Sequence, residues 1–249
     1  MTTEVRAVSA QEMLDLWETG RARHPVDRAV LMLAAADRGL AGEDLPRLPV
    51  GVRDEHLLRL YQATFGDPID GRATCPECAE ALELSLGCGD LLDAGASNRL
   101  AGAELDVREG DYHVAFRLPD STDLAAIAHL DDVDEARSVI LERCVISIAG
   151  PDGATPRSLP EPVVSEIAAS MAVADPHAEF VIDLICPACN AGWEASFDIA
   201  SAVWVHVSTH ARRLLLEVDA LARAYGWRES EILALSPTRR ATYLELAVG

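Results

Sequence analysis

Two cysteine pairs are the residues of this sequence best suited to chemistry. Cys75 and Cys78 stand in the run CPEC, and Cys186 and Cys189 in the run CPAC. Two cysteines with two residues between them at a tight turn present both thiolates to one ion, and tetrahedral zinc takes four such sulfurs at about 2.3 Å. The two pairs together complete that shell. The long stretch between them is no obstacle, because closure entropy grows slowly with loop length. A structural zinc shared by Cys75, Cys78, Cys186 and Cys189 is the leading reading. Dithiol redox chemistry is one rival, and it calls for a C-x-x-C at a helix N-terminus. The other is that the pairs hold no metal, or that each binds one with a partner chain. Cys88 and Cys144 fall outside the motifs and read as small buried hydrophobes.

Other candidates are weaker. His206 and His210, in HVSTH, lie one turn apart on an expected helix and could grip a metal together. No Glu follows the first of them, which removes the zincin reading, so they read as surface or seam-flanking residues. His113 in an expected hairpin and His129 in an expected helix have no companion ligands in sequence. The acidic group of Asp131, Asp132 and Asp134 suits a helix N-terminus. G-x-S-x-G, G-x-x-x-x-G-K and a G-x-G-x-x-G after a strand do not occur, and nothing in the sequence argues for an enzyme.

The elements that must position the cysteines are legible from periodicity. Ser9 and Glu12 form a capping box that opens a helix through Trp17 to Gly20. Pro25 starts a second helix ending near Gly39, and VRDEHLLRLYQATFG a third, capped at Gly66. The pattern then switches to period two: Leu82, Leu84 and Leu86 alternate with Glu83 and Ser85, so a β-hairpin is expected to carry the first pair. The second pair has the same setting, with Trp193, Ala195, Phe197 and Ile199 alternating with polar residues. Aligning Cys75 on Cys186 matches Pro76 with Pro187, Cys78 with Cys189, Glu83 with Glu194 and Ser85 with Ser196. This agreement suggests two copies of one small hairpin unit.

Between the copies, AELDVREGDYHVAFRLP reads as a hairpin turning at Glu109 to Asp111. STDLAAIAHL and DVDEARSVILERCV read as helices, the stretch from Ala149 to Pro162 as a loop or linker, and Val163 to Ala174 as another helix. From Ala200 a long helix spaces Trp204, Val207, Ala211, Leu214, Val218, Leu221 and Tyr225 by threes and fours, a heptad-like seam better read as core packing than as a dimeric coiled coil. It ends at Gly226. A short helix in WRESEILALS and a last one capped by Ser236 and Pro237 follow. The expected class is α+β, mainly helical, with two zinc-ribbon-like C-x-x-C hairpins and a C-terminal helical segment. The expected division is a helical region 1–70, a hairpin region 71–199 and a C-terminal segment 200–249.

Composition narrows the function classes. The chain has 249 residues, enough for a substantial core without a metal staple. Its 41 Asp and Glu against 21 Lys and Arg give a formal net charge of −20, which repels phosphate backbones and anionic lipid. No run approaches the roughly 18 apolar residues of a membrane span, and the first residues lack the pattern of a secretory signal. A soluble, intracellular protein with reduced thiols is expected.

Two segments resemble known families. PVGVRDEHLLRLYQATFGDPIDGRATCPECAEALELSL is similar to the core of tailed-phage baseplate hub assembly proteins, in which an R-D helix, a glycine and a CPxC hairpin follow in this order. LLLEVDALARAYGWRESEILALSPTRRATYLEL resembles the helical tail of phage tail assembly chaperones, as found with phage-tail-like contractile injection systems. The resemblance implies other baseplate or tail proteins as partners, a place in the cytoplasm or in a phage-like particle, and no catalytic residues. Oligomeric state stays open.

Overall fold

The computed structural model describes residues 5–36, 44–94, 104–151 and 159–248. Its element order is α1 (Ala10–Gly20), α2 (Pro25–Ala36), α3 (Val50–Phe65), β1 (Ile69–Thr74), β2 (Ala81–Leu86), α4 (Cys88–Ala94), β3 (Leu105–Glu109), β4 (Tyr112–Phe116), α5 (Ser121–Ile127), α6 (Val133–Cys144), β5 (Val145–Ala149), α7 (Glu161–Ala174), β6 (Val181–Ile185), β7 (Gly192–Ser196), α8 (Ile199–Tyr225), α9 (Glu229–Leu233) and α10 (Pro237–Val248). The fold is α+β and mainly helical, as the periodicities require. The expected end of the second helix near Gly39 and most of the expected linker lie outside the described residues.

Local chemistry starts these elements where the sequence signals. The Ser9–Glu12 capping box is formed, satisfying amides at the start of α1. Asp120 and Asp123 make a second box at α5, and Asp132 caps α6 by accepting from the Glu135 amide. Asp198 caps α8 through the Ser201 amide.

The main core gathers side chains from distant parts of the chain. Met13, Met32, Leu33, Leu57, Leu58, Ile69, Val203, Val207 and Leu214 are buried together, drawn from α1, α2, α3, β1 and α8. The seam of α8 is therefore covered within this chain: Val207, Ala211, Leu214 and Leu221 are buried against neighbouring helices of the same molecule. Cys88 joins this core and is fully buried. A smaller core of Val107, Val114 and Phe116 with Val163 and Ile167 packs α7 onto the three-stranded sheet of order β3-β4-β5.

Three local readings change. The helix expected to run through Val145 stops at Cys144, because VISIA is rich in β-branched residues and finds an open edge on β4, with Val114 opposite Ile148. Helix α5 ends at Ile127, leaving His129 in the turn that follows rather than in the helix. Helix α4, which directly follows the first cysteine hairpin, carries too short an apolar pattern to be read from sequence.

Candidate metal centre

Each cysteine pair sits at the tip of an antiparallel hairpin. In the first, β1 pairs with β2 from Ile69 opposite Leu86 to Thr74 opposite Ala81. In the second, β6 pairs with β7 from Val181 opposite Ser196 to Ile185 opposite Gly192. The connecting turns are built alike. The Cys75 amide donates to the Glu80 carbonyl at 2.9 Å and the Ala79 amide to the Cys75 carbonyl at 3.0 Å. In the second turn the Cys186 amide donates to the Ala191 carbonyl and the Asn190 amide to the Cys186 carbonyl, both at 2.9 Å. Ala79 and Asn190 occupy the same place and share a left-handed backbone, φ 59° and 58°. The sequence agreement between the two runs thus corresponds to one repeated local structure.

The two tips face one another. The four sulfurs of Cys75, Cys78, Cys186 and Cys189 lie within 4.8 Å of one another and can hold a metal ion. Across the hairpins, Cys75 Sγ to Cys189 Sγ is 3.7 Å and Cys78 Sγ to Cys186 Sγ is 3.5 Å. A disulfide would need about 2.05 Å, and all four are free thiols. The edge of a sulfur tetrahedron around an ion at about 2.3 Å is about 3.8 Å, which these separations approach. Cys75 and Cys186 are buried, while Cys78 and Cys189 reach the surface, so one cysteine of each pair faces inward.

The thiols of the cluster perturb one another. Burial alone would raise the Cys186 thiol, but the amides of Cys189 and Ala188 and the thiols of Cys78 and Cys189 outweigh it and hold it at about 7. Cys78 receives the Glu80 amide, yet the neighbouring thiols of Cys186 and Cys189 push it up to about 12. Ionising one sulfur makes ionising the next harder, since like charges at this separation repel. A bound divalent ion reverses that balance and allows all four to act as thiolates.

The hairpins are held in place by the helical body. Gly71 of β1 lies under the Phe197 ring at the end of β7, where a Cβ would come within 2.7 Å of the ring. The Phe197 amide donates to the Phe180 carbonyl at 2.8 Å, closing the base of the second hairpin beside α8. Ile69, fully buried, anchors the first hairpin in the main core.

The remaining candidates do not converge. His206 and His210 do lie one turn apart on α8, but the His206 ring faces Tyr61 edge-on at 4.9 Å and contacts the Asp70 carbonyl at 3.2 Å, while the His210 ring packs on Phe65 at 5.6 Å. Neither joins a metal-holding group among the described residues. Cys144 is buried beside Asp123, and burial together with that carboxylate pushes its thiol up to about 12. His113 pairs with Asp106 across a strand at 3.2 Å.

Sequence reasoning missed two buried polar networks. Arg117 and Arg143 converge on the carboxylate of Asp123, which is fully buried, with contacts of 2.6 to 2.9 Å. At the start of α3, Arg53 grips Asp54 through Nε at 2.7 Å and Nη2 at 3.1 Å, and its Nη1 donates to Ser121 Oγ at 3.2 Å. Beside it the Gly51 amide donates to Asp175 Oδ2 at 2.9 Å, and the buried His177 ring stands 4.0 Å from Glu55. The run VRDEH carries no local signal of this burial, since a charged residue is exposed unless a partner from elsewhere in the chain makes burial tolerable.

No helix among the described residues is long and apolar enough to cross a membrane. No curated protein and no solved structure matches the chain. A family model described as T4 bacteriophage base plate protein matches residues 31–201, a stretch that contains both cysteine hairpins and everything between them. The segment resembling tail assembly chaperones lies beyond the matched region. The match spans well over half of the chain, and the protein belongs to the T4 bacteriophage base plate protein family.

Proposed function

We propose that the protein is a non-enzymatic structural or assembly component of the baseplate of a phage or phage-like contractile particle, in which Cys75, Cys78, Cys186 and Cys189 hold one structural zinc ion. The observation that carries this reading is the convergence of four sulfurs from two hairpins within 4.8 Å, inside the stretch that matches the family. An all-sulfur, four-member donor set suits zinc, and it leaves no open position for water or substrate of the kind a catalytic zinc keeps. Strands β2 and β7 follow the two pairs where a redox C-x-x-C would have a helix, which speaks against thiol exchange. When bound, the ion supplies a cross-link whose binding free energy becomes folding free energy.

The partners in this reading are other baseplate or tail proteins. A net charge of −20 keeps a free subunit soluble and favours basic partner surfaces over nucleic acid. The hub-assembly resemblance around α3 and the first hairpin, together with the chaperone-like α9 and α10, supports a role in building the baseplate, with the protein in the cytoplasm until it meets the particle. The test combines elemental analysis of protein purified without chelator with electron microscopy of particles from cells lacking this chain. One zinc per chain and particles without complete baseplates are expected. Metal-free protein that keeps its fold would overturn the zinc, and normal particles would overturn the assembly role.

A further inference from the structure

The two cysteine hairpins share one local structure, but their outward faces differ. On the first hairpin Arg72 of β1 stands opposite Glu83 of β2 and pairs with it at 3.5 Å. Beside them Ser85 Oγ donates to Asp70 at 3.0 Å, so this face satisfies its own polar groups. At the equivalent places on the second hairpin stand Asp183 of β6 and Glu194 of β7, again directly opposite one another. An acid takes the place of the arginine, and like charges facing each other across two strands repel. Both carboxylates are exposed, and neither makes a hydrogen bond or ion pair among the described residues. Neither stands at a helix start, and the stretch from Val181 to Ser196 contains no Lys or Arg. Along β6, Asp183 is flanked by Val181 and Ile185, 51% and 72% exposed, where the first hairpin carries the polar Asp70 and Thr74. Beyond Ile185 a groove of about 790 Å³ opens between the hairpins, with Pro187, Ala81 and Leu82 as apolar lining beside the Arg72–Glu83 pair.

We propose that the outward face of β6 and β7 docks an extended segment of a neighbouring baseplate protein. An arginine of that segment bridges Asp183 and Glu194, and a large apolar side chain two residues further on sits in the groove beside Ile185 and Pro187. Strand geometry sets the spacing: residues two apart in an extended chain lie about 6.6 Å apart on one side, as Asp183 and Ile185 do. Arginine suits the pair better than lysine, because its planar fork donates to two carboxylates whose Cβ atoms are opposed at about 5 Å. The first hairpin, with its arginine built in, is the internal precedent for that pairing. Only the identity of the donor as a baseplate protein rests on the assembly reading above.

The test uses the full chain, purified without chelator, in NMR titrations at low salt. The probes are the acetylated, amidated pentapeptide Val-Thr-Arg-Thr-Leu and the same peptide with norleucine or lysine in place of arginine. The arginine peptide is expected to shift the amides of Asp183, Ile185 and Glu194 saturably, with a dissociation constant of about 1 mM. It should bind about tenfold tighter than the norleucine peptide and about threefold tighter than the lysine peptide. Asp183→Arg, which recreates the pairing of the first hairpin, is expected to weaken binding about tenfold or more while the unfolding midpoint stays equal or rises. Glu194→Gln should weaken it about threefold. Equal binding of either control peptide, no saturable shift, or unchanged affinity in both variants overturns the proposal. Calcium ions alone shifting the same amides at lower concentration than the peptide also overturn it and assign the carboxylates to a cation. The same shifts on raising protein concentration overturn it in favour of a second copy of this chain. Zinc content measured on the same samples separates this outcome from that of the metal centre, and peptide binding does not depend on whether the chain enters a particle.

Discussion

Cys75 Sγ and Cys189 Sγ stand 3.7 Å apart across 114 residues of chain. The contact joins the inward cysteine of one hairpin tip to the outward cysteine of the other, and Cys78 with Cys186 repeats the arrangement at 3.5 Å. Both contacts run between the hairpins, so an ion held by all four sulfurs ties the two together rather than stiffening either alone.

Cys75→Ser and Cys189→Ser are accordingly expected to have the same effect although they lie in different hairpins. Each should abolish stoichiometric zinc and lower stability by on the order of 5 kcal/mol. Elemental analysis with calorimetry checks this. Zinc retained in full by either variant would show that the two tips do not share an ion.

Gly71→Ala leaves all four thiols in place but pushes a methyl group against the Phe197 ring. We expect zinc affinity to fall about tenfold while the isolated helical signals stay unchanged, because the hairpins must separate to admit the methyl. Adding Phe197→Ala should restore part of that loss. Competition with a chromogenic chelator measures both, and additive losses in the pair would disprove the contact.

Ala79 has a left-handed backbone at the position where the second turn uses Asn190. A left-handed residue with a Cβ costs roughly 1–2 kcal/mol unless it is Asn or Gly. Ala79→Asn and Ala79→Gly should both stabilise the zinc-loaded protein, by about 0.5–1 kcal/mol. Denaturant midpoints at fixed zinc report the gain, and a loss in both variants would contradict the turn geometry.

Asp123 is held at about 2: burial acts to raise it, and Arg117, the Asp120 amide and Arg143 together outweigh burial. Its folded value lies below the ordinary 3.8, so the stability it contributes is fully present above about pH 4 and is lost as pH falls toward 2. Asp123→Asn should cost about 3 kcal/mol at neutral pH by leaving two arginines without their partner. The gap between wild type and variant should close between pH 4 and pH 2 in acid denaturation followed by circular dichroism. A gap independent of pH would mean that the carboxylate charge is not what holds the network.

Gly51 begins α3 against the turn that carries Asp175, where a Cβ would come within 2.0 Å of the Asp175 carboxylate and 2.7 Å of the Ala178 nitrogen. Gly51→Ala should destabilise by about 2–3 kcal/mol through overpacking. Adding Asp175→Gly should not rescue it, because the approach to the Ala178 nitrogen remains and the buried Gly51 amide loses its acceptor, and thermal unfolding of the pair decides it.

Much of this was legible in the residues themselves. The capping box at Ser9, the alternation of Leu82, Leu84 and Leu86, and the repeat of CPEC by CPAC are local patterns. Local sterics and hydrogen bonding are enough to turn them into a helix start and two hairpins. Strand β5 was not legible, because VISIA suits a strand only once β4 offers an edge. The Arg53–Asp54 and Arg117–Asp123 pairs were hidden for a related reason, since a charged residue is exposed by default and only a partner brought in from elsewhere makes burial tolerable.

The sequence by itself determined the donor chemistry of the four cysteines and the turns that present them two at a time. Tertiary structure alone decided that the two tips meet. That depends on Ile69, Phe180 and Ile199 being buried in one shared core, and burial of apolar surface acts between segments whatever their distance along the chain.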